Sequence, residues 1–296
     1  MDGTTSGIEA PRPVIGRGLW SDALRRLRRN RAAMTSLVLL GLLVVAVSIG
    51  PWLSPNAFDG SDWDAILLAP TWTGGHWFGT DFLGRDLLVR TLHGGRISLL
   101  VGLSATLVSL VIGVTWGATA GYLGGRVDAV MMRIVDILYA LPFMFFVILL
   151  MVFFGRNIFL IFIAVGAVNW LDMARIVRGQ TLSLREREFV LAAQAYGAPG
   201  WRIIARHIVP NLLGVVMVYV TLTIPQVILV ESFLSFLGLG VQEPYTSWGA
   251  LVNDGAQQME AGPWLLVFPA LFLALTLFCF NFLGDGLRDA LDPKDR

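Results

Sequence analysis

One lysine, one cysteine and three histidines are all that this 296-residue chain offers to most phosphate, redox and metal chemistry. The lysine is Lys294. A phosphate-binding loop of the pattern Gly, four residues, Gly-Lys and Ser or Thr needs its lysine to meet the nucleotide phosphates, so the chain has no conventional ATPase site of its own. Cys279 has no second cysteine to pair with, which excludes an intrachain disulfide. His76, His93 and His207 fall in separate segments without metal-ligand spacing, and no Ser/His/Asp or Cys/His constellation accompanies them. Charged residues make up only 15% of the chain, and a net charge of +1 gives no sign of a nucleic-acid surface.

Apolar residues, in contrast, are 55% of the sequence, with a mean hydropathy of +0.69. That is far above the ordinary globular balance and predicts an all-α integral membrane protein. Ion-free runs cover Ala32 to Gly50, Ile97 to Leu123, Ile137 to Phe154, Ile158 to Leu171, Ile208 to Val230 and Trp264 to Leu283. Most approach the ~20 residues of a spanning helix, so six transmembrane helices are expected. The fourth run is short and is expected to extend through Asp172 toward Ala174, because a lone acid near a helix end reaches the interface or a partner.

With the N-terminus in the cytoplasm, eighteen Lys and Arg fall on the cytoplasmic side and only four, Arg85, Arg90, Arg96 and Arg156, on the other. The positive-inside rule selects that orientation, with both termini cytoplasmic. Ala46-Val47-Ser48 weakly resembles a signal cleavage site, but the run is longer than a signal core. The arginine-rich stretch before it, Trp20 to Arg31, is amphipathic and suited to the inner leaflet.

The chain therefore divides into a cytoplasmic N-terminus expected to be disordered (1–18), an amphipathic helix, first span and external segment (19–96), a core of spans (97–284) and a cytoplasmic tail (285–296). Trp52, Trp63, Trp72 and Trp77 make the external segment aromatic, as membrane anchors or as a docking surface. A second external loop, 236–263, contains acids but no Lys or Arg. No internal repeat appears, direct or inverted.

One charged stretch, 185–210, interrupts the apolar runs. Arg185 to Tyr196 is a good helix former, Gly197 suits the position just past a helix end, Pro199 the first turn of a second helix, and Pro210 the passage into span five. Ala192, Ala193 and Ala195 give a shallow face that a partner can approach closely, although any interfacial amphipathic hairpin has a similar pattern. Within the spans, Asp136 and Asp172 are expected near the cytoplasmic ends, facing head-groups or pairing with Arg133 and Arg175. Tyr219, Thr223 and Gln226 recur at i, i+4 and i+7 on one face of span five, followed by Glu231. Such a stripe lines an aqueous path or satisfies a neighbouring helix.

The 185–210 stretch, with Ala192-Ala193, Gly197 and a terminal Val209-Pro210, resembles the cytoplasmic coupling loop of ABC importer permeases, except that Leu191 and Val209 stand where that family has Glu and Leu. The resemblance extends through LRRLRRNRAA before span one, FGTDFLGRDLLVRTLHGGR before span two, Ala120 to Gly125, Val135 to Pro142, Ser183 to Glu188, Leu234 to Gly240, Ser247-Trp248-Gly249 and Gly284 to Pro293. It covers nearly all of Trp20 to Arg296 and points to the C-type subunit of the dipeptide, oligopeptide and nickel permeases. The resemblance implies a type I importer fold and a bacterial inner-membrane location. It implies as partners a homologous B-type permease, two ATP-binding subunits, an external substrate-binding protein and membrane lipid, with no nucleic acid. ATP and Mg would reside on the ATP-binding subunits, and no cofactor on this chain. Arg187, Glu188, Ala192, Ala193, Gln194, Ala195, Tyr196, Gly197, Ala198 and Pro199 would couple to the ATPases, and Tyr219, Thr223, Gln226 and Glu231 would face the translocation path. Peptides are the expected substrate, with nickel complexes or glutathione as the family's other choices. An ion-driven secondary transporter or channel and a membrane scaffold that transports nothing are the rivals from other classes; the first would need a buried acid or histidine relay.

Overall fold

The computed structural model describes residues 19–154 and 158–291, and every regular element in them is helical. The expected disorder of 1–18 and the end of the tail fall outside the described residues. The chain opens with α1 (Leu19–Arg29) and α2 (Arg31–Leu53), separated at Asn30, whose side chain caps α2 by accepting from the Ala33 N–H at 3.2 Å. Ala23 and Leu27 of the amphipathic α1 are buried with Ala33 and Ala290, so this helix packs against the last helix of the chain.

An irregular segment, 54–86, leads to α3 (Leu87–Leu123), which Asp86 starts by accepting from the Val89 N–H at 3.0 Å. At 37 residues α3 is about 55 Å long, and it stops at Gly124, where φ is +66°. Next come α4 (Gly125–Ala140), α5 (Phe143–Phe154) and α6 (Ile158–Arg185). The run expected as one span, 137–154, is thus divided. Pro142 has no N–H for the ladder and forces Leu141 into an extended conformation, with ψ at 132°.

Gly113, Gly117 and Gly121 form a small-residue seam along which α3 lies against α6. A β-carbon at Gly113 would stand 2.5 Å from that of Met173, one at Gly117 2.9 Å from that of Val177, and one at Gly121 2.8 Å from that of Thr181. No other residue type permits this approach.

After α7 (Glu188–Ala195), a helical path begins at Gly200 and runs without interruption to Phe236. It comprises α8 (Gly200–Ile203), a π-helical turn (Ile204–Ile208) and α9 (Val209–Phe236). Span five therefore starts eight residues earlier than its apolar run, and Pro210, in the first turn of α9, lies within the helical path and not at its start. α10 (Trp248–Gln257) and α11 (Trp264–Leu291) complete the described chain.

Among the described residues, four helical stretches are long and apolar enough to cross a membrane: α2, α3, Gly200–Phe236 and α11. Large apolar side chains such as Leu42, Leu103, Val267 and Phe278 stand exposed along them. An integral membrane protein requires such faces, since lipid replaces water as the surrounding medium.

Candidate coupling loop and translocation path

The 185–210 stretch folds as a short helix, a tight turn and the start of a long one. Arg185 still belongs to α6, and a turn in which the Arg187 N–H donates to the Leu184 carbonyl (3.1 Å) resets the chain before α7. The helix expected from Arg185 to Tyr196 is therefore shorter at both ends, with Arg187 and Tyr196 as its caps. Glu188 lies in the first turn, where its charge favours the helix dipole.

At the other end Gly197 has φ +76°. Its N–H donates to the Gln194 carbonyl at 2.9 Å, and the Ala198 N–H to the Ala193 carbonyl at 3.0 Å. Those two bonds define a Schellman cap, and Ala193 and Ala198 supply its apolar contact at the edge of a buried cluster. No atom lies within 4 Å of where a Gly197 β-carbon would be. Backbone conformation, not space, demands glycine there.

α7 presents two faces. Val190 is completely buried and Ala193 half-buried, whereas Arg187, Glu188, Ala192, Gln194, Ala195, Tyr196, Gly197 and Pro199 are exposed. Ala192 and Ala195, not Ala193, thus form the shallow outer face. Phe189, Leu191 and Tyr196 stand beside it, Tyr196 at 91% exposure. An exposed apolar surface of this kind is a candidate for contact with a partner.

Beneath the loop, Val190 and Ile203 join Ala118 of α3, Met173 and Val177 of α6, and Leu212 and Val216 of α9 in one cluster. Tyr122, at the end of α3, is the point of contact: its hydroxyl accepts from Gln194 at 3.5 Å, and its ring lies 3.0 Å from where a Gly200 β-carbon would be. A displacement of α7 therefore bears on three long helices at once.

Two ion pairs fasten α4 to α6. Arg178 donates to both oxygens of Asp128, at 2.5 and 2.6 Å, and Arg175 to Asp136 at 2.9 Å while stacking over Tyr139. Asp136 thus pairs with Arg175, one of the two arginines expected, and Asp172 is half-buried on α6.

The four path candidates do not converge. Tyr219 is half-buried at the cluster's edge, Thr223 is buried with its hydroxyl donating to the Tyr219 carbonyl (2.8 Å), and Gln226 is exposed. Glu231 is completely buried: it accepts from the Ser235 hydroxyl at 2.7 Å and from Ser98 at 3.3 Å. Ser98 in turn accepts from the Trp248 N–H at 3.1 Å, so Glu231 ties α9 to α3 and α10. Twelve residues beyond Tyr219, at ~100° per residue, Glu231 is turned about 120° from the stripe.

At the far end of α3 from the 185–210 stretch, a second polar group joins distant segments. Asp81 accepts from the Arg85 side chain at 2.6 Å, Arg85 also reaches Glu243 at 2.8 Å, and the buried Arg90 lies 3.5 Å from Asp81. Burial opposes the charge on Arg85, but its bonds to Glu243 and Asp81 prevail and raise its pKa above the ordinary value. Asp86 accepts from His76 at 2.8 Å if that ring nitrogen carries the proton, and Phe58 stacks on His93 at 4.0 Å. These partners were beyond sequence reasoning, Arg85 and Glu243 being 158 residues apart.

The sequence has known relatives. A family model described as binding-protein-dependent transport system inner membrane component matches residues 113–296, and one described as the N-terminal TM domain of oligopeptide transport permease C matches residues 18–70. The chain is 62% identical over 283 residues to the oligopeptide transport system permease protein OppC of Escherichia coli, covering 96% of this chain and 94% of the relative. Against the protein of the same name in Haemophilus influenzae, identity is 61% over 281 residues, 95% of this chain and 90% of the relative. The dipeptide transport system permease protein DppC of Bacillus subtilis is 50% identical over 276 residues, 93% and 86% of the two chains.

Proposed function

Because this chain belongs to the family of binding-protein-dependent transport system inner membrane components, we propose that it is a permease subunit of an ATP-driven oligopeptide importer. The observation that carries the reading is identity of 50–62% to named peptide permeases over almost the whole chain. Peptides are accordingly the substrate class, in preference to nickel complexes or glutathione. In this reading the chain forms half of the translocation path beside a homologous permease and receives its substrate from an external binding protein. Two ATP-binding subunits carry ATP and Mg, and this chain carries no cofactor.

The chain sits in the bacterial inner membrane with both termini cytoplasmic. Its six crossings are α2, α3, the α4–α5 pair, α6, Gly200–Phe236 and α11. The exposed face of α7, with Ala192, Ala195 and Tyr196 at its centre, meets an ATP-binding subunit. Val190, Ile203 and Tyr122 tie that face to α3, α6 and α9, which supports a coupling role: burying one such apolar side chain contributes ~1.5–3 kcal/mol, enough to keep loop and helices moving together. ATP binding would bias two arrangements of these helices, one open to each side. Gln226 and the open edge of Tyr219 are the candidates to meet peptide, while Thr223 and Glu231 hold the helices around them.

Copurification tests the reading. The tagged chain, expressed with its operon neighbours, should bring down a second permease and an ATP-binding subunit, and the complex should hydrolyse ATP while the isolated chain does not. A pure isolated chain that hydrolyses ATP, or one that recovers no ATP-binding subunit yet transports peptide, would overturn it.

A further inference from the structure

Between α2, α3, α9 and α11 lies a cavity of about 250 Å³, open on one side and lined almost wholly by hydrocarbon. Val44 and Val47 of α2, Leu99, Leu100 and Leu103 of α3, and Phe280 of α11 form its walls. Leu100 and Leu103 are more than half exposed, so the opening faces outward from the helices. An arginine, Arg96, stands at its rim.

The position of Arg96 follows from a proline. Pro51 has no N–H, so the carbonyl of Val47, four residues earlier in α2, lacks its helical partner. Arg96 supplies one: its Nε donates to the Val47 carbonyl at 3.3 Å and one terminal nitrogen to the Ser48 carbonyl at 2.9 Å. These bonds fix the guanidinium at the cavity mouth but leave its charge standing, for no acidic side chain pairs with Arg96 among the described residues. Trp52, 79% exposed one turn further along α2, marks the same depth as an interfacial one.

We propose that this groove binds an anionic phospholipid, one acyl chain lying along Leu99, Leu100 and Leu103 and the phosphate resting on Arg96. A membrane helix bundle presents such a groove to lipid tails, and an uncompensated cation at head-group depth selects a head-group of negative charge. In the orientation proposed above the site lies in the outer leaflet. Binding there would brace Pro51, where α2 is weakened, against α3. The site is independent of the peptide path and of the ATPase-facing loop.

Lipid retention tests it. The intact complex would be placed in nanodiscs of phosphatidylglycerol and phosphatidylethanolamine with identical acyl chains, stripped stepwise with detergent, and the retained lipid counted by mass spectrometry. Phosphatidylglycerol should be retained preferentially. Arg96→Gln keeps a donor for Val47 while removing the charge, and should lower that preference about fivefold, the value of one cation at an anionic surface. Arg96→Lys should restore most of it. Leu103→Trp, which fills the groove without touching the charge, should reduce retention of both lipids, and it decides the matter alone if Arg96→Gln does not assemble. Unchanged selectivity in Arg96→Gln, or unchanged retention in Leu103→Trp, would overturn the proposal. So would efficient cross-linking of cysteines at 100 and 103 to the partner permease, which would make the groove a subunit contact.

Discussion

Replacing Gly197 by valine would ask a β-branched residue to adopt φ +76° at the one point where α7 must turn toward α8. The left-handed conformation costs an ordinary L-residue roughly 1–2 kcal/mol, and valine lies at or beyond the upper end. Because a β-carbon at Gly197 meets nothing within 4 Å, steric conflict with neighbours adds nothing, and the penalty is the backbone term alone. The loop escapes it by breaking the two cap bonds, Gly197 to Gln194 and Ala198 to Ala193. A penalty of about 2 kcal/mol shifts the equilibrium between docked and undocked loop by about thirtyfold. The membrane helices, held by their own contacts, should still insert. Purified Gly197→Val complexes should therefore lose the ATP-binding subunit and uptake together while the two permeases remain paired. Gly197→Asn, which tolerates this region better, should lose less. Gly179→Ala is the control: that glycine also has open space around it but sits inside α6, where alanine is favoured by roughly 0.5–1 kcal/mol, so assembly should hold or improve. Normal retention of the ATP-binding subunit and normal uptake by Gly197→Val would refute the reasoning.

Gly121→Val should force α3 from α6, because its β-carbon would meet that of Thr181 at 2.8 Å; overpacking of this kind costs about 1–3 kcal/mol and should lower the melting temperature of the detergent-solubilised complex. With Cys279 first replaced by Ala, a cysteine at Gln226 should react readily with a water-soluble thiol reagent and one at Thr223 should not, since only the former is exposed; equal rates would place the path elsewhere. Asp128→Asn removes the acceptor of both Arg178 bonds and should lower thermal stability by less than about 1 kcal/mol, as expected for a pair partly in water; a loss of several kcal/mol would contradict the assignment.

Local chemistry was legible in the sequence wherever one residue decides the backbone. Gly197 could be placed past a helix end because few other residues adopt that conformation, and the structure has it there. The division at Pro142 was also written in the chain, but an unbroken apolar run outweighed the proline when span length alone was counted. The facing of α7 depended on a boundary: with the helix beginning at Glu188, Val190 and Ala193 turn inward and Ala192 and Ala195 outward, which a good helix former from Arg185 onward does not reveal. Glu231 attracted notice as an acid after a span, and Ser235 is only four residues on, yet its link to α3 depends on Ser98, 133 positions away. The pairs Arg178–Asp128 and Arg85–Glu243 are long-range in the same way, and no periodicity within one segment can announce them.

Peptide uptake into proteoliposomes bears most directly on the central claim. With this chain, its partner permease and the two ATP-binding subunits reconstituted, and the external binding protein added with a labelled oligopeptide, accumulation against a gradient should occur with ATP and cease when a non-hydrolysable analogue replaces it. Accumulation that proceeds without ATP and follows an imposed proton or sodium gradient would contradict the account.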